Sequence, residues 1–148
     1  MLDDLSTGFR SAVPEGLLVT GNTGDRDLVT ALLAAHKVTT ILHFAAHTIV
    51  PESVSDPLKY YGNNTCATRN LLECAVRAGV SNFIFSSTAA VYGIPANGIA
   101  AEDTPTAPIN PYGSSKLMSE WMLRDIDLAH PMRHVSLRYF NVAGADPG

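Results

Sequence analysis

Residues 82–116 read NFIFSSTAAVYGIPANGIAAEDTPTAPINPYGSSK. NFIFS, at 82–86, is apolar and aromatic, so it predicts a buried strand. Residues 91–110 are rich in Pro, Gly and Ala and predict a loop. Asn110–Pro111 is a helix start. Asn caps, and Pro suits the first helical position because its missing N–H would be unpaired there anyway. The helix is expected to run to about Ala129, with Leu117, Trp121, Leu128 and their neighbours as its apolar stripe. Tyr112 and Lys116 stand one turn apart on it. One reading is a capped surface helix with an incidental Tyr and Lys. The other is chemical: an ammonium beside a phenol favours the phenolate, drawing its pKa down from about 10 and making a general base.

The rhythm of this unit extends outward in both directions. Residues 17–20 (LLVT) form a short apolar run ending in GNTG. Residues 25–36 place Leu28, Leu32 and Leu33 at helical spacing behind Asp25 as cap. TTILHFAA, at 39–46, predicts a second buried strand. SDPLKYY opens a long helix, with Asp56 as cap and Pro57 in the first turn, running to Ala78 and stopping at Gly79. HVSLRYF, at 134–140, predicts the last strand. Strands alternating with helices predict an α/β domain with a parallel sheet, one domain over residues 1–148. In such sheets ligands bind beyond the carboxyl ends of the strands. GNTG, AAHT, SST and Asn141 all fall there, which favours a binding crevice over a purely structural layer.

Composition excludes several classes. The chain has 148 residues, 46% hydrophobic and 16% charged, with a net charge of -4. It is long enough for a real core and too apolar for disorder. No basic run invites nucleic acid, and no apolar run approaches a membrane span. MLDDLSTGFR lacks the cationic flank and apolar core of a signal peptide. Cys66 and Cys74 are read as reduced thiols of a cytoplasmic protein. His43 and His47 have no carboxylate or thiol near them in sequence, so a metal site is not expected.

FSSTAAVYG at 85–93, PYGSSK at 111–116 and LRYFNVAGA at 137–145 form a specific combination. With HFAAHTIVPESVSDPLKYYGNN at 43–64 and DDLSTGFR at 3–10, it resembles the extended short-chain dehydrogenase/reductases, the NAD-dependent epimerase/dehydratase family. The resemblance covers essentially the whole chain. It implies a partial NAD-binding, Rossmann-type, doubly wound parallel sheet missing its first strand. The family's G-x-x-G-x-x-G turn has no counterpart before Met1. LLVTGNTGDRDLV offers strand, Gly-x-x-Gly and helix, but Asp27 stands where a third glycine belongs, and the family pattern places this segment at its third strand. The family's C-terminal substrate part is also expected to be absent, so the chain reads as the middle of a longer enzyme. In the family order 3-2-1-4-5-6 the strand ending at Thr20 is then expected to lack a neighbour, and TTILHFAA to lose one of two.

The resemblance also implies roles. Tyr112, Lys116 and Thr88 match the catalytic set, Tyr112 as base and Thr88 as the hydroxyl that orients the sugar 4-hydroxyl. Asp3 matches the acid that takes the adenosine ribose and prefers NAD to NADP, although by itself it also reads as a frayed, solvated terminal residue. Asp4, Leu5, Ser6, Thr7 and Gly8 form the adjoining loop. Asn22, where the family usually has Asp, and Thr23 would face the adenine. Phe44, Ala45, Ala46, His47 and Thr48 would lie under the diphosphate and nicotinamide ribose. Asn63 would touch the cofactor, as would Thr88, Tyr112, Lys116 and Phe140. Thr88, Tyr112 and Asn141 would hold a UDP-sugar. Ala89 and Ala90 replace the acids that dehydratases carry after the threonine, so dehydration is disfavoured. The implied reaction interconverts UDP-glucose and UDP-galactose by transient oxidation at C4 on bound NAD, with no metal. Other nucleotide-sugar epimerases or reductases on the same scaffold, and a non-catalytic remnant, remain open. The family is often homodimeric.

Overall fold

The strands expected after Thr39 and Ser81 both form, and they lie parallel. The computed structural model describes residues 1–96 and 98–141. Residues 142–145 of the LRYFNVAGA block therefore lie outside the described residues. β3 (Thr40–His43), β4 (Asn82–Thr88) and β5 (Arg133–Tyr139) form one parallel sheet in the order β3-β4-β5. Ile41 stands opposite Phe83, and Phe85 opposite both His43 and Ser136. β3 ends at His43, three residues short of the expected Ala46. The physical reason lies just beyond. Asn64 takes over the backbone of His47, accepting its N–H at 2.8 Å and donating to its carbonyl at 2.9 Å.

A second sheet pairs β1 (Leu2–Asp3) with β2 (Val19–Thr20), also in parallel. This corrects the expectation that the strand ending at Thr20 has no neighbour. The Val19 N–H donates to the Met1 carbonyl at 2.9 Å and the Gly21 N–H to the Asp3 carbonyl at 3.0 Å. Two residues suffice because the flanking residues, Met1 before β1 and Gly21 after β2, carry the ladder one step further at each end. Among the described residues β3 has a strand partner on one side only, β4, as expected.

α1 (Arg26–His36) starts where Asp25 accepts the N–H groups of Asp27 and Leu28. A short helix that the sequence did not announce, α2 (Val50–Ser55), precedes the long one. The predicted helix from Pro57 is continuous but not uniform: α3 (Pro57–Tyr60), a π-helical turn over Tyr61–Cys66, then α4 (Ala67–Arg77). Gly79 ends it with φ of 71°, and the Val80 N–H returns to the Ala75 carbonyl. This is the left-handed stop expected of that glycine. α5 spans Pro111–Ala129, and Asn110 accepts the Gly113 N–H at 2.8 Å, as its sequence start requires.

α1, α4 and α5 pack on one face of the larger sheet. Val29 and Leu33 meet Leu71, Leu72 and Ala75, and these close on Phe83, Phe85 and Leu123. Each Val, Leu or Phe among them contributes roughly 1.5–3 kcal/mol on burial. The other sheet face leaves Leu42 and Val135 exposed. The expected stripe of α5 is partly wrong. Leu117 is buried, but Trp121 and Leu128 are exposed. The face of α5 turned inward carries Gly113, Ser115, Lys116, Leu117, Ser119, Glu120 and Leu123, most of them small or polar.

Candidate functional site

Lys116 is the least ordinary side chain of the inward face of α5. It is 3% exposed, and its ammonium donates to the Ser86 carbonyl at 2.8 Å while lying 4.9 Å from the centre of the Phe85 ring. Buried lysines normally face a carboxylate. This one is met by a carbonyl and a ring, and burial brings its pKa down to about 8. His43 shares the same chamber. It is stacked on Phe85, bonded to Thr68 Oγ1 at 2.8 Å, and held neutral with its pKa down to about 3 by burial, then by the nearby Lys116 charge.

Tyr112 lies one turn before Lys116, half-buried, at the start of α5. Its neighbour Gly113 brings this turn against the segment after Thr88. A Cβ there would sit 2.7 Å from the Ala90 carbonyl oxygen, so no larger residue allows the approach. Thr88 ends β4, is 8% exposed, and accepts the Ala90 N–H at 3.1 Å. Helix cap, glycine contact and strand end thus bring Thr88, Tyr112 and Lys116 into one neighbourhood. A second phenol is close: the Tyr60 ring meets Tyr112 edge-on at 6.4 Å. Burial and then Glu52, 2.7 Å from its hydroxyl, push Tyr60 up to about 12. Tyr60 is therefore a proton-holding support, not a base at neutral pH.

A cleft of about 1030 Å³ runs between the two sheets. Its walls include Asp3, Asp4, Ser6, Thr7 and Gly8 on one side, with Asn22 and Thr23 beside them. Phe44, Ala45, Ala46, His47 and Asn63 form the other side. Leu5 and Thr48 are not among its lining residues. The Asp3 Oδ1 accepts the Leu5 N–H at 2.7 Å, which aims the carboxylate across the turn. Asn22 departs from the simple adenine contact. Its Oδ1 already accepts the Gly24 N–H at 2.8 Å, and its Nδ2 donates to Asp4 at 3.2 Å. Asp4 is held below the usual carboxylate range, first by Ser6. The GNTG turn does not replace a phosphate loop. Asp25 occupies the first N–H groups of α1, and a carboxylate there repels a phosphate.

Thr88, Tyr112 and Lys116 do not line this cleft, although His43 and His47 join it to their chamber. Phe140 is exposed and lines a different cleft of about 740 Å³, between α5 and β5. Asn141 is exposed. Among the described residues no three His, Cys, Asp or Glu side chains gather as a metal site. No helix among them is long and apolar enough to cross a membrane.

Sequence reading missed the supports. Asn64, 2% exposed, links His47 to Ser115 Oγ at 3.1 Å across to α5. Glu120 is buried against Ser87 and Arg138. The signal was present in Ser115, Lys116, Ser119 and Glu120, polar residues at helical spacing, but polar residues at that spacing usually mark a wet face.

Residues 1–148 match the NAD dependent epimerase/dehydratase family. The UDP-glucose 4-epimerase of Azospirillum brasilense is 54% identical over 147 residues, which is 99% of this chain and 42% of that protein. The crystal structure of UDP-glucose 4-epimerase from Brucella ovis in complex with NAD matches with a TM-score of 0.93 and 43% identity, over 98% of this chain and 45% of that one. The Bifidobacterium longum enzyme in complex with NAD+ and UDP matches with a TM-score of 0.80 and 41% identity, over 84% of this chain and 38% of that one. The chain thus spans less than half the length of these relatives.

Proposed function

We propose, starting from the fact that this chain belongs to the NAD dependent epimerase/dehydratase family, that it forms the NAD-holding, base-carrying part of a UDP-glucose 4-epimerase. The observation that carries the reading is the buried Lys116, one turn from Tyr112 and, among the described residues, paired with a carbonyl and a ring and with no carboxylate. An ammonium kept out of water without a counter-charge is costly, and such groups concentrate where chemistry uses them.

The residues present fit a dinucleotide. Asp3 supplies a carboxylate acceptor at one end of the cleft between the sheets, and Phe44–His47 with Asn63 make an apolar and amide wall at the other. Asp3 would hold the adenosine ribose, His47 and its neighbours the diphosphate side, and Lys116 the nicotinamide ribose. NAD, when bound, supplies reversible hydride acceptance at the sugar C4. The chain does the rest. Tyr112 takes the proton from the sugar O4 and returns it after the sugar has turned over. Thr88 orients that hydroxyl toward Tyr112. Lys116 places a positive charge beside the reacting oxygen, in a chamber where water is displaced by Phe85 and His43. Ala89 and Ala90 offer no acid for dehydration, which supports epimerisation over loss of water.

The test is a chimera in which residues 1–148 replace the matching segment of the Azospirillum brasilense relative. It is expected to convert UDP-galactose with NAD retained. A folded chimera that binds NAD and does not turn over would sink the reading. The 148-residue chain by itself is expected to show no turnover with added NAD, because among the described residues no strand hydrogen bonds join the two walls of the cleft. Turnover comparable to the complete relative would overturn that expectation.

A further inference from the structure

Lys116 and Glu120 lie one turn apart on α5, and both reach β4 at consecutive residues. Lys116 donates to the Ser86 carbonyl, and the Ser87 hydroxyl donates to Glu120 Oε1 at 2.5 Å. The next residue is Thr88. Glu120 also receives Arg138 from β5, Nη2 to Oε2 at 2.7 Å and Nε to Oε1 at 3.1 Å. The Arg138 guanidinium lies 4.8 Å from the centre of the Tyr92 ring, just past Thr88. One carboxylate, 7% exposed, thus ties α5 to the ends of β4 and β5 and, through Arg138, to the turn that follows Thr88.

Such a cluster is a poor stability device. Desolvating an ion pair costs about as much as the pair returns, and well-packed apolar residues do as well. What it supplies is a single register, because a bidentate fork accepts few geometries. We propose that Glu120 is a positioning residue: by holding Ser87 and Arg138 it fixes the end of β4 against α5, and with it the spacing of Thr88 and Ser86 from Tyr112 and Lys116. The proposal rests on the catalytic reading of those residues given above, but its physical content is the seat of Lys116.

That seat can be read directly. The groups facing Lys116 are the Ser86 carbonyl and the Phe85 ring from β4, with neutral His43 from β3. If the β4 end slips, Lys116 gains water and its titration rises from about 8. Loss of the Glu120 charge acts with the opposite sign, since removing a nearby anion lowers an ammonium pKa. In Glu120→Gln the two effects oppose each other, and the charge-neutral Ser87→Ala reads the loss of burial alone.

The experiment follows the Lys116 side chain by NMR titration in the 148-residue chain, alongside thermal unfolding. Ser87→Ala, which changes no charge, is expected to raise the Lys116 midpoint by about one pH unit as burial is relaxed. Glu120→Gln is expected to raise it by less, because the lost carboxylate charge pulls the other way. The core variant Leu123→Ala should lower the unfolding temperature and leave the midpoint where it is. If Ser87→Ala and Glu120→Gln behave like Leu123→Ala, Glu120 is merely structural and the proposal is overturned. Should Glu120→Gln fail to fold, Ser87→Ala alone decides. The readout uses no turnover. A raised midpoint beside a chimera that does not epimerise would keep the positioning and discard the catalytic reading.

Discussion

The two halves of this molecule are built by different means. Around α5 and β4, side chains are locked by buried contacts: Lys116 on Ser86, Ser87 on Glu120, Asn64 on His47 and Ser115. Around β1 and β2, the ladder is two residues per strand, and its side-chain bonds, Asn22 to Asp4 and Arg10 to Thr20, are exposed. The reacting end of the proposed site is thus preorganised by the chain itself. The adenosine end depends on turns and on what comes to lie in the cleft. On the proposed reading, binding and chemistry fall to regions of unequal rigidity, and each can be perturbed without the other.

The largest effect expected from this division is on the chemistry alone. In the chimera, Tyr112→Phe should lower turnover by about 10²–10⁴-fold, the typical worth of a general base. NAD should stay bound, because Tyr112 does not line the cleft between the sheets. Steady-state rates and cofactor absorbance after gel filtration check both halves of the statement. Near-normal turnover would remove Tyr112 from the mechanism, and loss of NAD would show that the two regions are not separable.

Stability should divide in the same way. Leu123 is fully buried between α5 and the larger sheet, so Leu123→Ala is expected to cost about 2–5 kcal/mol. Val19, half-buried in β2, should cost only about 1 kcal/mol as Val19→Ala. Denaturant unfolding of both variants decides, and a Val19→Ala cost equal to that of Leu123→Ala would break the contrast. Amide exchange should follow, with β4 protected longer than β1.

What could be read from sequence follows the same line. The bounds of α5 were legible because Asn110 and Pro111 write its start in backbone chemistry. The stop at Gly79 was legible for a similar reason. The stripe of α5 was misread because periodicity counts apolar residues, and this helix buries Ser115, Lys116, Ser119 and Glu120 instead of Trp121 and Leu128. Burial of polar residues depends on partners in other elements, which no local pattern carries. The π turn over Tyr61–Cys66 left no local sign either, yet it turns Asn64 rather than Asn63 toward His47. β2 found β1 because hydrogen bonding rewards even a two-residue ladder, which strand propensity cannot weigh.

A smaller effect concerns pH and again falls on the rigid half. His43 is neutral in the fold, with its pKa down to about 3, against 6.5 when solvated. Between those values the unfolded chain binds the extra proton, so stability falls as pH falls. From pH 6.5 to 4.5 the loss should be about 2 kcal/mol. His43→Asn, which leaves Thr68 a polar neighbour, should flatten that window. The lowered carboxylates, Asp4 and Glu52, act only further into acid, so a wild-type curve flat over this range would show that His43 is not held neutral.

The smallest effect is expected in the exposed half, and it is the sharpest test of how loosely that half is tied. Asn22 donates to Asp4 and accepts from Gly24. Asn22→Asp keeps the acceptor for Gly24 and replaces the donor with a second carboxylate facing Asp4. The Asp4 pKa, now held low by Ser6 and then helped by Asn22, should rise. Both groups are near the surface, where water and salt screen them, so the stability change should stay within about 1 kcal/mol. It should be greatest above the carboxylate range and fade as acid protonates one of the pair, the reverse of the wild-type trend for a lowered carboxylate. NMR titration of Asp4 in both proteins reads the shift directly. An Asp4 that does not move would mean that the β1 turn yields freely enough to part the two carboxylates. A loss of several kcal/mol would mean that this turn is as rigid as the seat of Lys116, and the contrast between the halves would fail.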